Sequence, residues 1–339
     1  MLQHLLRLSY PTPADHLDPE DHFSTALGTI FSDDLANQHG DRDALITYLP
    51  STYPAYPAVE LRLADPADED ERRKFAHYLW NAGVLMAELV AGRGGGEEDE
   101  KDVEGEGVNG EAEGEDAQRS AKDAGSWVPF ALAGDGEWWV GRGEEHKWRV
   151  KGHAVLELGA GVGLAGIMSV LAGAEEVVIS DYPAPEILQN LRSNVERNVP
   201  SQLRPKVRVE GHTWGDVTSP FPAANTGKFS RILAADCLWM PHEHANLARS
   251  MRHFLSPDED ARVLVIAGFH TGRARMAAFF DVVGDEGLEV EEMFEMDAEG
   301  KRREWRSERD GGAEDHGERK KWLVLARLKR KTSINSGSA

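Results

Sequence analysis

With 339 residues, 40% of them hydrophobic and 8% aromatic, the chain has enough apolar material for one large domain or two small ones. Its one cysteine, Cys237, excludes a disulfide framework and a cysteine-rich metal site. A net charge of −21 speaks against direct nucleic-acid binding and would steer in a basic protein partner.

The N-terminus, "MLQHLLRLSYPTP", is apolar only briefly and lacks the regions of a signal peptide. No run approaches the ~18 apolar residues of a membrane span, so the chain reads as soluble and cytoplasmic. Residues 1–65 are expected as an N-terminal extension, with strand-like pieces "ALITYLP" and "AVELRLAD" around a Pro/Tyr-rich turn. Residues 66–92 are expected as an amphipathic helix packing on the core, with Pro66 and acids at its start and Gly92 at its end. Between Glu97 and Asp116 eleven acids meet one lysine, which is −10 of the total charge and leaves −11 for the rest. That Gly/Glu-rich stretch has too little apolar surface to offset its ordering entropy, and residues 93–126 are expected as a disordered insertion.

Residues 127–330 hold the main core and 331–339 a disordered tail. From His153 onward, apolar runs at Ala154–Leu158, Val177–Ser180, Val207–Glu210, Ile232–Ala235 and Val263–Ala267 read as strands. Helical stretches at Leu164–Ala172, Ala184–Asn198, His242–Leu255 and Arg273–Val283 separate them. This alternation predicts an α/β fold, a mostly parallel sheet with helices on both faces. "LEVEEMFEM" and "KWLVLARL" add a terminal hairpin, making seven strands.

The glycines of "VLELGAGVGLAG" admit two frames. Gly161, Gly163 and Gly166 spell the dinucleotide fingerprint G-x-G-x-x-G, but its first glycine belongs directly after the strand, and that glycine is Gly159. Counted from Gly159 the third position is Leu164, which breaks the fingerprint. Gly159, Gly161 and Gly163 instead spell G-x-G-x-G after the acid Glu157. Asp181 ends the second strand, about 20 residues on, where an acid binds ribose hydroxyls in either fold type.

"VLELGAGVGLAG" with "VVISDYP" resembles the first motif and following acid of class I methyltransferases that use S-adenosylmethionine. Together with "HYLWNAG", "SDYPAPEILQNLRSNVERN", "GHTWGD" and "ADCLWMPHEH", it is similar to methyltransferase family 16, over roughly Phe23 to Leu328. Within it, the likeness is greatest to a fungal group described as nicotinamide N-methyltransferase-like or as methyltransferases of elongation factor 1-alpha. The resemblance implies a Rossmann-like fold and S-adenosylmethionine as cofactor. Glu157, Gly159, Ala160, Gly161, Asp181, Trp214 and Ala235 are the expected cofactor residues, and the family places Trp80, read as part of the helix, there too. Acids at the turn suit a cationic ligand and would repel a pyrophosphate; Trp214 can stack on adenine or serve in the core. Asp236, Trp239 and His270 are the expected catalytic residues. Many relatives carry Tyr where Trp239 stands, so a phenolate role is lost and a cation–π wall remains.

His242 and His244 in "PHEH" stand at i, i+2, read as helix-terminus residues and not as a metal pair. Arg273 is a second candidate beside His270 for the acceptor pocket, and Trp138, Trp139 and Trp148 are expected as an apolar lid or as surface packing. Methyl transfer needs an aligned, uncharged nucleophile, at ~3–3.5 Å, and neither metal nor covalent intermediate. A lysine amine must first lose a proton at ~4–5 kcal/mol near neutral pH, an α-amine at only ~1–1.5, and a pyridine nitrogen at none. Three readings stay open: a monomeric N-methyltransferase of a protein N-terminus or lysine, with elongation factor 1-alpha as the basic substrate implied by resemblance; a nicotinamide N-methyltransferase; and a cofactor-binding protein that has lost transfer.

Overall fold

A computed structural model describes residues 2–10, 37–41, 43–64, 78–93 and 138–332. The expected insertion beyond Arg93 and the tail from residue 333 lie outside the described residues. An N-terminal sheet is built from β1 (Leu6–Ser9), β3 (Leu45–Tyr48) and β4 (Val59–Leu61), in the order β1-β3-β4. The pair β2 (Gln38–His39) and β5 (Leu79–Trp80) is antiparallel, and α1 (Asn81–Ala91) follows directly. Of the helix expected over 66–92, residues up to 77 lie outside the described residues; within them the helix begins at Asn81, and Trp80 belongs to a strand. Its backbone is drawn into pairing with Gln38, a partner that helical periodicity cannot reveal.

The main sheet comprises β6 (Ala154–Leu158), β7 (Glu176–Asp181), β8 (Val207–Gly211), β9 (Arg231–Ala235), β10 (Arg262–Gly268), β11 (Leu288–Asp297), β12 (Arg302–Glu304) and β13 (Trp322–Arg330). Its order is β12-β11-β13-β10-β9-β6-β7-β8. The seven expected strands are all present, and the eighth is the short β12, too polar to show an apolar run. β6 to β10 pair in parallel, while β13 is antiparallel to both β10 and β11. The longer helices are α2 (Leu164–Leu171), α3 (Pro185–Asn198), α4 (His244–Phe254) and α5 (Arg273–Asp285).

Alternation along each strand divides the core in two. Val155, Val177, Ile179, Leu233 and Leu264 join the cluster of α1, α2 and α3. Leu156, Val178, Ile232, Val263 and Val265 join that of α4 and α5. Strands buried on both faces need apolar residues at every position, hence the continuous runs. The N-terminal sheet shares the first cluster through Ile46, Tyr48, Val59 and Leu61.

Two polar devices fasten that sheet. Asn194 and Asn198, one turn apart on α3, accept from Arg62 N–H and Glu60 N–H at 3.0 and 2.8 Å and donate back to the same residues' carbonyls. Side chains thus occupy the edge of β4 that a further strand would otherwise pair. Buried Glu88 of α1 accepts from Tyr48 Oη at 2.5 Å, Trp139 Nε1 at 3.0 Å and Ser51 N–H at 3.0 Å. Trp138, Trp139 and Trp148 are all buried, so they form neither a lid nor surface packing. Glu88 takes the Trp139 indole N–H and Ser51 Oγ that of Trp138, at 3.3 Å, and Trp148 is buried in the same apolar cluster.

Candidate active site

β6 lies between β7 and β9, so the loops leaving their carboxyl ends diverge and open a crevice there. A cleft of about 340 Å³ occupies it, walled also by Tyr78 and Trp80 ahead of α1. The structure brings Trp80, Glu157, Gly159, Ala160, Gly161, Asp181, Trp214, Ala235, Asp236 and Trp239 to this one cleft. Among the described residues lining it there is no lysine or arginine.

The glycine loop is shaped from two sides. Gly159 has φ +63°, and a Cβ there would stand 2.8 Å from Cys237 Sγ and 3.0 Å from the Trp214 ring. It is the protein's own packing that forbids a side chain at this position. Gly161, at φ +57°, faces open space, and its N–H donates to Asp181 Oδ2 at 2.7 Å. Tyr182 N–H donates to Asp181 Oδ1 at 2.6 Å. Burial raises the Asp181 carboxyl above its ordinary range, and these two N–H groups oppose the rise.

Glu157 is buried on the face of β6 turned to α2, and its Oε2 accepts from Gly166 N–H at 2.9 Å. Burial pushes its pKa up to about 8, helped by the nearby Asp181 charge and opposed by the helix N–H groups. Cys237 Sγ lies 3.2 Å from Leu158 O, and burial holds the thiol well above its ordinary range, far from a reactive thiolate.

Beside the glycine loop the chain leaves β9 at Asp236, which sits at φ +58°, a left-handed conformation that Asp tolerates better than most residues. Asp236 Oδ1 accepts from Gly268 N–H at 2.9 Å, and Oδ2 lies 3.0 Å from His270 Nε2. The His270 ring packs on Trp80 with centroids 4.2 Å apart. His270 itself does not line the cleft; it stands behind Asp236 and Trp80. Gly268 makes room for it, since a Cβ there would meet His270 Nε2 at 2.4 Å.

Arg273, the other acceptor-pocket candidate, is not at the cleft. Its guanidinium is buried against Glu295 at 2.6 Å and Glu314 at 2.7 Å and lies 4.0 Å over the Phe269 ring. A buried cation needs this pairing, and the carboxylates that supply it come from β11 and the segment before β13. His242 is exposed, whereas buried His244 bonds through Nε2 to Leu238 O at 3.0 Å, so the two do not converge.

His212 lines the cleft unforeseen by sequence reasoning. Ser250 Oγ holds its Nε2 at 2.9 Å, and burial lowers its pKa to about 4, so the ring is neutral at physiological pH. Its place two residues before Trp214, directly after β8, was the available signal.

A cleft with the buried Asp181 carboxyl, three tryptophans, an open glycine loop and no lysine or arginine among its described lining residues fits a cationic, ribose-bearing ligand such as S-adenosylmethionine. It does not fit a pyrophosphate. The family model and two relatives agree. A family model described as lysine methyltransferase matches residues 63–286. A protein N-terminal and lysine N-methyltransferase of Schizosaccharomyces pombe is 32% identical over 264 residues, 73% of this chain and 81% of that one. One of the same description from Aspergillus fumigatus is 32% identical over 178 residues, 48% of this chain and 68% of that one. A solved S-adenosylmethionine-dependent methyltransferase from Mesorhizobium loti aligns with 53% of this chain and 92% of its own, at 14% identity and a TM-score of 0.38.

Proposed function

The chain belongs to the lysine methyltransferase family and is an S-adenosylmethionine-dependent methyltransferase of protein amines; we propose that it methylates the N-terminal α-amine and adjacent lysine of elongation factor 1-alpha, as a cytoplasmic monomer. The carrying observation is the Asp236–His270 pair, 3.0 Å apart, with Asp236 at the cleft where the chain leaves β9. The cofactor, when bound, supplies an electrophilic methyl on a sulfonium.

Asp181 and the Gly159–Gly161 backbone would hold the cofactor, with Trp214 and Glu157 lining the same cleft. Asp236 and Trp239 receive the amine. The amine must reach the methyl uncharged, and Asp236 takes the proton it sheds, with His270 fixing the carboxylate and sharing the resulting charge change. Trp239 offers its face to the nitrogen as it becomes a methylated cation. A neutral acceptor such as nicotinamide would need no proton acceptor, so the Asp236–His270 pair favours the amine reading. The acidic charge suits a basic protein substrate.

Incubation with tritiated S-adenosylmethionine and recombinant elongation factor 1-alpha, followed by a gel and peptide mass spectrometry, is expected to label the N-terminal peptide. Label confined to small molecules in a fungal lysate would instead establish the nicotinamide reading.

A further inference from the structure

Next to Trp80, three side chains form a directed chain of hydrogen bonds that ties the N-terminal extension to the cleft. Asn37 Nδ2 donates to the backbone carbonyl of Lys320 at 2.8 Å. A carbonyl can only accept, so the orientation of every member follows from this end. Asn37 Oδ1 therefore faces Asn81 Nδ2, at 3.1 Å, and Asn81 Oδ1 faces His39 Nε2, at 2.8 Å, which must carry its proton. Asn81 N–H also donates to Asn37 O at 3.0 Å. Asn37 and Asn81 are buried, and the β2–β5 ladder pairs Gln38 with Trp80 and His39 with Leu79.

This chain joins three segments distant in sequence: residues 37–39, the start of α1 and the end of the short helix His316–Lys320 ahead of β13. Asn37, His39 and Lys320 all lie outside the span 63–286 that the family model matches. Trp80 is the residue fixed between them, with its ring on the cleft wall against His270 and edge-on to Tyr78. Two residues of β5 have too short a ladder to hold an indole by backbone pairing alone.

We propose that Asn37, His39 and Asn81 are positioning residues for Trp80, so that the N-terminal extension is a working part of the cofactor cleft. The inference rests on the reading of Trp80 as a cofactor-cleft residue. The three side chains do not touch the ligand; they hold the indole in the one orientation that closes the wall.

Calorimetry with S-adenosylhomocysteine tests this. His39→Ala and Asn81→Ala are each expected to weaken binding ~3–10-fold, the scale of one lost hydrogen bond. In a Trp80→Ala background the same substitutions are expected to change nothing further, because their effect runs through the indole. His39→Gln, which keeps a donor, is expected to restore part of the loss. Equal losses with and without Trp80, or no loss in either background, would overturn the proposal. A Trp80→Ala protein that binds as tightly as the wild type would overturn the reading of Trp80 itself, and a wild-type protein that does not bind would overturn the assignment of the cleft. His39 lies on the extension outside the helix, so its variant reports even if Asn81→Ala fails to fold.

Discussion

At the residue scale, Asp236 carries two partners that decide what its substitution should do. It caps no helix; its oxygens accept from Gly268 N–H and meet His270. Asp236→Asn should lower kcat by ~10²–10⁴ and change S-adenosylhomocysteine affinity far less, as steady-state kinetics and calorimetry would measure. Trp239→Ala should raise the acceptor KM. Gly268→Ala tests the same pair from behind, since the new methyl would occupy the place of His270 Nε2. It should reduce kcat in the wild type and have little further effect in a His270→Ala protein. Glu157 adds a pH dependence. Its folded pKa of about 8 lies above the ordinary carboxyl value, so the folded state holds a proton that the unfolded state has released over the intervening range. That contribution is fully present at acid pH and is lost as pH rises towards 8. Relative to Glu157→Gln, the wild type should therefore lose stability between pH 5 and 8 in thermal melts; a parallel pH profile would show that Glu157 is ionised throughout.

At the element scale, the asparagine row of α3 is a substitute strand. Asn194 accepts from Arg62 N–H and donates to Arg62 O and to Val162 O of the glycine loop. Removing it takes the partner from Arg62 N–H, just past β4, and from Val162 O, while Arg62 O keeps its bond from Asn190 Nδ2. Asn194→Ala should cost roughly 2–4 kcal/mol in denaturant unfolding, and more than Asn190→Ala, whose one bond to Arg62 O is solvent-exposed. The row was visible in "SDYPAPEILQNLRSNVERN" as asparagines every fourth residue. Its purpose was not, because the strand it completes lies far away in sequence.

At the scale of the whole molecule, the acidic segment can be judged by where the fold lets it leave and return. Arg93, the last described residue before it, donates to Val140 O at 3.2 Å, and its guanidinium lies 5.5 Å from the Trp138 ring. The two ends are thus pinned together by the fold itself. Deleting Gly94–Asp123 should leave the melting temperature and cofactor affinity nearly unchanged, since shortening a loop between fixed ends changes closure entropy only slowly with length. A large loss of stability would mean that the segment packs.

The sequence by itself determined the elements whose signal is local. Apolar runs at every position can only be strands buried on both sides, and these gave the central sheet. The frame of Gly159 relative to Leu158 excluded the dinucleotide reading, because the turn must follow the strand directly. Asp236 and Trp239 could be named because they follow the fourth of the predicted strands, at the carboxyl end where a parallel sheet binds its ligands, in a motif that carries the family resemblance. The tertiary structure alone decided what depends on partners brought from afar. Trp80 is a strand residue because Gln38 pairs with it, and Arg273 is buried because Glu295 and Glu314 neutralise it. Trp138 and Trp139 are core because Ser51 and Glu88 take their indole N–H groups. His270 stands behind Asp236, out of the cleft, because Gly268 leaves room there. Periodicity records which face of an element is buried; it holds no record of which distant side chain will be waiting on the other side.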